Sequence, residues 1–297
     1  MQEWKQVICL ALALFSGLTV GLTLSSSGQA REETATPAFA AWLEEEGVIV
    51  PEENLFQLET PAPTAAEDFS VEVIRTQRSA QRVLIYHTHT YEAYAQDADH
   101  PYKETEKWRT ADERYNMVRV GEELAALLRG LGMEVVHDTT AFEPPNLSDA
   151  YTRSLAMLEA RVAAGESYDL YIDLHRDAYA ASQTGPNTVA VGGQELAYLM
   201  VLIGKGEGQT GQGFDQKPNW QENIKMAQAI TDCLNDQVKG LCRDVRVKNG
   251  RFNQHISTGC VLIEAGNNRN TLEQVLAAMP YLADAIAQSL EKVSLEK

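Results

Sequence analysis

Apolar and polar positions along this chain fall into three regimes. The first is a continuous apolar run from Val7 to Leu24, with no charged side chain between Lys5 and Arg31. A helix that crosses a bilayer needs about 20 such residues, so the run predicts a transmembrane anchor or an export signal. Gly28-Gln-Ala30 puts small residues where a signal peptidase reads, while the length of the run favours retention. Lys5 is the only basic residue ahead of the run and Glu3 opposes it, which orients the body outward on a weak signal. The second regime, from Ser25 to about Gln81, has no sustained period. Pro37, Pro51, Pro61 and Pro63 punctuate it, and acidic residues such as Glu44-Glu-Glu46 dominate. Such a segment buries too little apolar surface to offset chain entropy and reads as a tether. Within it Phe39, Trp42 and Leu43 share one face of a short helix at 38–46.

The third regime alternates strand and helix patterns. Val83–Tyr86, Met133–Val136, Leu170–Leu174, Thr188–Val191, Ala197–Ile203 and Val261–Ile263 are short apolar runs that predict strands. Helical spacing of Met117, Val120, Leu124 and Leu128 predicts a helix over Glu113–Arg129, ended by Gly130 and Gly132. A second helix follows Ser148 as its cap, a third starts at Asn219, and a fourth runs over Thr271–Leu290. Alternation of this kind implies an α/β fold: one mainly parallel twisted sheet with helices on both faces. The expected division is 1–30 for the anchor or signal, 31–81 for the acidic linker and 82–297 for the folded body.

Composition narrows the function. Among 297 residues there are 42 acidic and 25 basic side chains, a formal charge of -17. That balance argues against a protein that grips nucleic acid by neutralising phosphates. Hydrophobic residues at 44% are ordinary for a globular body. Four cysteines exclude a small disulfide scaffold; Cys233 and Cys242 stand either as a pair or as free thiols, and Cys260 reads as a packed core thiol. The segment Gly204–Gly211 is glycine-rich but lacks the Gly-Lys-Ser/Thr ending of a phosphate loop.

Candidate chemistry gathers where three strand patterns end: Tyr86-His-Thr-His-Thr-Tyr-Glu92, Asp173-Leu-His-Arg-Asp177 and Ile263-Glu-Ala-Gly-Asn-Asn268. Ligands of open α/β sheets bind outside the carboxyl ends of strands. Two histidines and a glutamate with an open fourth position are the donor set of catalytic zinc. His89-x-x-Glu92 with distant His175 supplies that set, and Glu264 is left over as a proton shuttle. His87 lies two residues before His89, so on an extended strand both face the same way, and the spacing leaves open which binds metal. Arg176, Asn253, His255 and Asn267 are the candidate substrate contacts. His100 and His137 read as solvated.

These segments resemble the stage II sporulation protein P family. The resemblance is carried by Val83–Glu92, Tyr115-Asn-Met-Val-Arg-Val-Gly-Glu-Glu-Leu124, Asp173-Leu-His-Arg-Asp-Ala178, Pro218-Asn-Trp-Gln-Glu-Asn-Ile-Lys-Met-Ala227 and Leu262–Glu273, in one order over about 82–290. It implies a zinc-dependent N-acetylmuramoyl-L-alanine amidase fold on the outer side of a membrane, acting on peptidoglycan during forespore engulfment. Cleavage of cross-linked peptides is implied as well, with a lytic transglycosylase (stage II sporulation protein D) and stage II sporulation protein M as partners. Carried over by position, one of His87 and His89, together with Glu92 and His175, holds Zn2+, and Glu264 is the catalytic carboxylate. A metallocarboxypeptidase using Arg176 to hold a terminal carboxylate, and a non-catalytic wall-binding scaffold, are the competing expectations.

Overall fold

The computed structural model describes residues 80–180, 182, 184–207 and 216–295, all within the compact unit Arg75–Lys297. The expected membrane span, nearly all of the linker with its short helix, and half of the glycine-rich segment lie outside the described residues. Among those described, no helix is long and apolar enough to cross a membrane.

Six strands form one sheet in the order β2-β1-β3-β8-β6-β7. They are β1 (Arg82–Tyr86), β2 (Glu134–His137), β3 (Leu170–Asp177), β6 (Leu199–Gly204), β7 (Cys242–Lys248) and β8 (Cys260–Asn267). A separate antiparallel hairpin pairs β4 (Thr188–Val191) with β5 (Gln194–Ala197). Every neighbouring pair in the large sheet is parallel except β8 with β6. The sheet is therefore mainly parallel, as the alternation predicts, with β6 and β7 reversed. The run Ala197–Ile203 is not one strand but the end of β5 and the body of β6. Strand β7, Cys242-Arg-Asp-Val-Arg-Val-Lys248, is an addition to the expected set. As an edge strand it is half solvated and carries charges, so it lacks an apolar run.

Period-two alternation divides the sheet into two unlike faces. Val83, Ile85, Leu170, Ile172, Leu174, Val201, Ile203, Val261, Ile263 and Ala265 face one way, into the main core. Three helices cover that side: α1 (Met117–Gly130), α3 (Trp220–Gln237) and α4 (Leu272–Leu295). The opposite face is covered only in part. Helix α2 (Ala150–Ala163) packs Ala150 and Leu158 there against Leu84, Tyr86, Tyr171 and Cys260. Helix α1 starts at its cap Asn116, whose side-chain oxygen accepts from Val118 N at 2.9 Å. Ser148 does not cap α2; it bonds the side chain of Asp149 at 3.2 Å, and a short 3-10 turn over Leu147–Asp149 leads into the helix. Cys233, Cys242 and Cys260 are free and buried.

The join of β3 and β8 is close enough to be tested by one methyl group. A Cβ on Gly259 would sit 2.3 Å from the carbonyl oxygen of Asp169, a backbone atom with little freedom to move. Gly259→Ala is expected to cost about 1–3 kcal/mol and to lower the thermal midpoint by about 2–10 °C. Gly130→Ala, with nothing within 4 Å of its new methyl, is the control; equal midpoints for the two variants would refute the account.

Candidate active site

The partly open face of the sheet is where the chemistry collects. Tyr171, Asp173, His175 and Asp177 alternate onto it from β3, and Cys260, Leu262 and Glu264 from β8. The register pairs His175 with Glu264 directly across the two strands. These polar residues lie inside the strands rather than after them, since β3 runs on to Asp177 and β8 to Asn267. The site therefore occupies a sheet face at its carboxyl-end half, not only a strand edge.

A buried carboxylate shapes the turn that brings in the β1 residues. Asp173 accepts from Thr88 N at 2.8 Å with one oxygen and from Thr88 Oγ at 2.7 Å with the other. Thr90 Oγ donates to the carbonyls of His87 (2.9 Å) and Thr140 (3.1 Å), and Glu92 N donates to His89 O at 3.2 Å. The turned chain places Glu92 Oε2 3.4 Å from His175 Nδ1, where it also accepts from Arg176 N at 3.2 Å. The rings of His89 and His175 meet edge to face at 5.2 Å. Tyr151, from the start of α2, stacks on His175 at 6.4 Å and meets His89 edge-on at 5.5 Å.

Burial and charge set the protonation of this group. Burial alone raises the Glu92 carboxyl, but His175 and Arg176 overcome it and hold the group down at about 2. Burial lowers His89 to about 4. It also opposes charge on His175, but Asp173 and Glu92 override it and raise that group. Desolvation pushes Glu264 up to about 7. Five buried polar atoms have no hydrogen-bond partner among the described residues; three belong to this group, His89 Nδ1, His175 Nε2 and Glu264 Oε2, and the others are Arg109 Nη2 and His255 Nδ1. His175 Nε2 lies 2.8 Å from Asp173 Oδ1, but out of line for a ring N–H bond.

The donors fit a zinc ion in kind. Two imidazoles and a carboxylate are gathered with buried atoms left unpartnered. Among the described residues, no group of three His, Cys, Asp or Glu side chains is closed into a metal-holding arrangement.

His87 does not join them. It is fully buried on the other side of the turn, with Nδ1 2.9 Å from Leu174 O and Nε2 2.8 Å from His137 Nε2. A carbonyl only accepts, so Nδ1 donates and Nε2 is the acceptor; both nitrogens are spent. His137 is accordingly a packed residue whose side chain is only 2% exposed, not a solvated one. Arg176 is not placed to meet substrate either. Its guanidinium donates to Ala93 O at 3.0 Å and Trp108 O at 3.2 Å, tying down the segment after Glu92. Asn253 is buried and donates to Tyr151 O (2.9 Å) and Ser154 Oγ (3.0 Å), which fixes the start of α2. Asn267 accepts from Arg269 N at 2.9 Å in the turn after β8 and lines a depression beside Glu264. His255 is half buried, lowered to about 4 by burial and then by Arg251, and no hydrogen bond or ring contact joins it to the other site residues.

Sequence reasoning missed Asp173 as a positioning residue, Tyr151 as the ring over the histidines, and Glu143. The last pairs with Arg109, accepts from Tyr91 N at 3.2 Å and lies 3.8 Å from His89 Nδ1. Asp173 had a signal, because an acid in the middle of an apolar strand needs a buried partner. Tyr151 and Glu143 reach the site only through the fold.

A family model described as stage II sporulation protein P matches residues 25–287. A curated relative, stage II sporulation protein P of Bacillus subtilis (strain 168), is 25% identical over 217 residues, covering 69% of this chain and 50% of the relative. The chain thus spans half the length of that relative. Two solved N-acetylmuramoyl-L-alanine amidases and a third amidase are similar in structure at low scores. AmiC2 of Nostoc punctiforme has a TM-score of 0.43 and 14% identity over 73% of this chain and 98% of its own. An amidase from Clostridium difficile 630 has 0.44 and 18% over 73% and 98%. The CwlD amidase from Clostridioides difficile, in complex with the GerS lipoprotein, has 0.45 and 13% over 73% and 100%.

Because Asp173 receives both donors of Thr88, its replacement is expected to loosen the turn that carries His89 and Glu92. Asp173→Ala leaves two buried donors unpaired and should lower stability by about 2–4 kcal/mol, read as a shift in the urea midpoint. Thr88→Val removes one donor with its hydroxyl and should cost less. A Thr88→Val loss as large as that of Asp173→Ala would count against the carboxylate as the organiser.

Proposed function

The chain belongs to the stage II sporulation protein P family, and on that premise we propose that it is a peptidoglycan hydrolase that cleaves the amide between N-acetylmuramic acid and the L-alanine of the stem peptide. The observation that carries the reading is Glu264: a buried carboxyl with one unpartnered oxygen, in register with His175 and near enough to Glu92 to feel its charge. That is the arrangement amide hydrolysis needs, a proton carrier next to an electrophile site.

His89, Glu92 and His175 are the residues that would hold a zinc ion. Bound there, zinc supplies Lewis acidity toward the scissile carbonyl and lowers the pKa of water. The chain's own residues do the rest. Arg176 ties down the backbone that follows Glu92 at Ala93 and Trp108 and, after His175, helps to keep that carboxylate ionised. Tyr151 closes one side of the two imidazoles. Glu264 takes the proton of the attacking water and gives it to the leaving amine nitrogen as the carbon–nitrogen bond breaks. A carboxyl lifted by desolvation is suited to both transfers near neutral pH. Arg176 is committed to backbone carbonyls, which leaves a carboxypeptidase reading without its expected carboxylate holder.

In the same proposal Val7–Leu24 is retained as an anchor and residues 82–297 work outside the membrane, in septal wall thinning and engulfment. Tethering keeps the enzyme near a fixed polymer without high affinity. The family supplies stage II sporulation proteins D and M as partners; added D protein should increase release from intact wall. In cells the chain should stay with membranes after an alkaline carbonate wash, and a soluble processed form would remove the anchor from the scheme.

The full chain in detergent, given purified peptidoglycan, should release intact stem peptides. Chelation should stop release and zinc should restore it. Glu264→Gln should lower the rate by about 10²–10⁴-fold while zinc stays near one per chain, whereas His175→Ala should lose the metal. Release of terminal D-alanine alone would replace the proposal with a carboxypeptidase. Release of cross-link fragments beside stem peptides would add an endopeptidase. No release from a zinc-loaded chain, with or without the D protein, would leave a wall-binding scaffold.

A further inference from the structure

The row that holds His175 and Glu264 continues across the sheet. Glu264 is in register with Met200 on β6, and Met200 with Arg243 on β7. Registered residues on neighbouring strands share a face, so Arg243 projects from the same face as Glu264, two strands away. At about 4.8 Å per strand their backbones are about 10 Å apart. The β7 register also slips between Met200 and Leu202, so that Arg246 faces Leu202 and Lys248 faces Gly204. An extra residue in β7 thereby turns Arg243, Arg246 and Lys248 all toward the site face, where strict alternation would have split them. In a chain with a formal charge of -17, this is a local reversal of sign.

Arg243 is the member that is built in. Its guanidinium lies 5.2 Å from the ring centroids of both Tyr179 and Tyr198. Contact with two aromatic faces fixes an arginine while leaving its N–H groups free to donate. Among the described residues no carboxylate lies within ion-pair distance of it and no hydrogen bond of its side chain is formed, whereas Arg246 lies 3.8 Å from Asp177. Asp177 is on the same rim, and Arg246 offsets its charge there. Glu264, Asp177, Arg243, Tyr179, Tyr198 and Asn267 line one small depression.

We propose that Arg243, held between Tyr179 and Tyr198 in the row of Glu264, is the receptor for a carboxylate on the leaving peptide, so that the site takes acidic peptides with a free carboxylate one or two residues beyond the scissile amide. This rests on the amidase reading given above, in which Glu264 protonates the leaving nitrogen and the peptide therefore extends past Glu264, away from His175. A peptide advances at most about 3.3–3.6 Å per residue, so the second residue after the cut arrives at the span between Glu264 and Arg243. A planar guanidinium with free donors pairs a carboxylate through two parallel bonds.

The test uses the full chain in detergent and two matched probes, L-alanyl-γ-D-glutamyl-L-lysine amide with the glutamyl α-carboxylate free and the same peptide with that group as the carboxamide. Calorimetry reads binding without turnover. The acid is expected to bind about 10- to 100-fold more tightly than the amide, Arg243→Gln to bring the ratio to near one by weakening the acid, and Arg243→Lys to fall between. The corresponding N-acetylmuramoyl substrates should show the same ratio in KM rather than in kcat. Equal binding of acid and amide by the wild type, or a preference that survives Arg243→Gln in a chain with an unchanged melting midpoint, overturns the proposal. A preference that depends on Arg243, in a chain that cleaves no muramoyl amide, upholds the subsite and removes the amidase reading alone. Cleavage without preference removes the subsite alone.

Discussion

The buried carboxylate of Asp173 is the constraint on which the site depends. It follows the apolar start of β3, Leu170-Tyr-Ile172, and is almost fully desolvated, a position that costs several kcal/mol unless donors surround it. Those donors come from Thr88, and Thr88 Oγ in turn contacts Ser154 Oγ at 2.9 Å. One charge therefore ties β3, the turn after β1 and helix α2 into a single arrangement. Every side chain facing the histidines inherits its position from that tie: His89 and Glu92 through the turn, Tyr151 through the helix, His175 through the strand itself.

The second constraint is the division of the sheet into a sealed face and a half-open one. Three helices seal the first, and the apolar residues that reach it need no polar partner. On the second face α2 covers β1, β3 and the start of β8. Reversal of β6 and β7 brings the second residues of those strands, Met200 and Arg243, level with Glu264. A wholly parallel sheet would have placed strand beginnings at the far end. The change of direction thus lengthens the functional row beyond the two strands that carry His175 and Glu264.

Much of the fold was legible because the sealed face writes a clear signal. Runs such as Val83–Tyr86 and Leu170–Leu174, and the spacing of Met117, Val120, Leu124 and Leu128, mark elements that pack on both or one apolar side. What escaped has a common cause. Strand β7 is half solvated, with charged residues through its length, so apolar periodicity does not flag it. The strands β3 and β8 run past their apolar centres because backbone pairing continues where side chains turn polar. His89, Glu92, His175 and Glu264 were legible as a set from residue type and spacing. Period two placed His87 on the same face as His89, but the chain stops being extended at Thr88, where Asp173 takes its backbone N–H. His87 therefore turns inward to His137 beneath Gly121, where a Cβ would come within 2.6 Å of His87 Nε2.

Satisfaction of buried polar atoms separates scaffold from chemistry in this protein. Arg176, Asn253 and Asp173 were all written in polar motifs beside the expected ligands, and each is engaged by backbone or hydroxyl partners. They hold the site's shape. His89 Nδ1, His175 Nε2 and Glu264 Oε2 are equally buried and have no hydrogen-bond partner among the described residues. Leaving such atoms unpaired costs about 1–3 kcal/mol each, a cost without structural return in a domain of marginal stability. Three such atoms together on one half-open face are the mark of groups kept for something that arrives from outside. Arg176 is spent on backbone carbonyls, whereas Arg243 is the guanidinium that the fold positions against two rings without giving it a carboxylate. Charge held in place but not neutralised is how a site stores affinity for a ligand of opposite sign, because the ordering cost has already been met in folding.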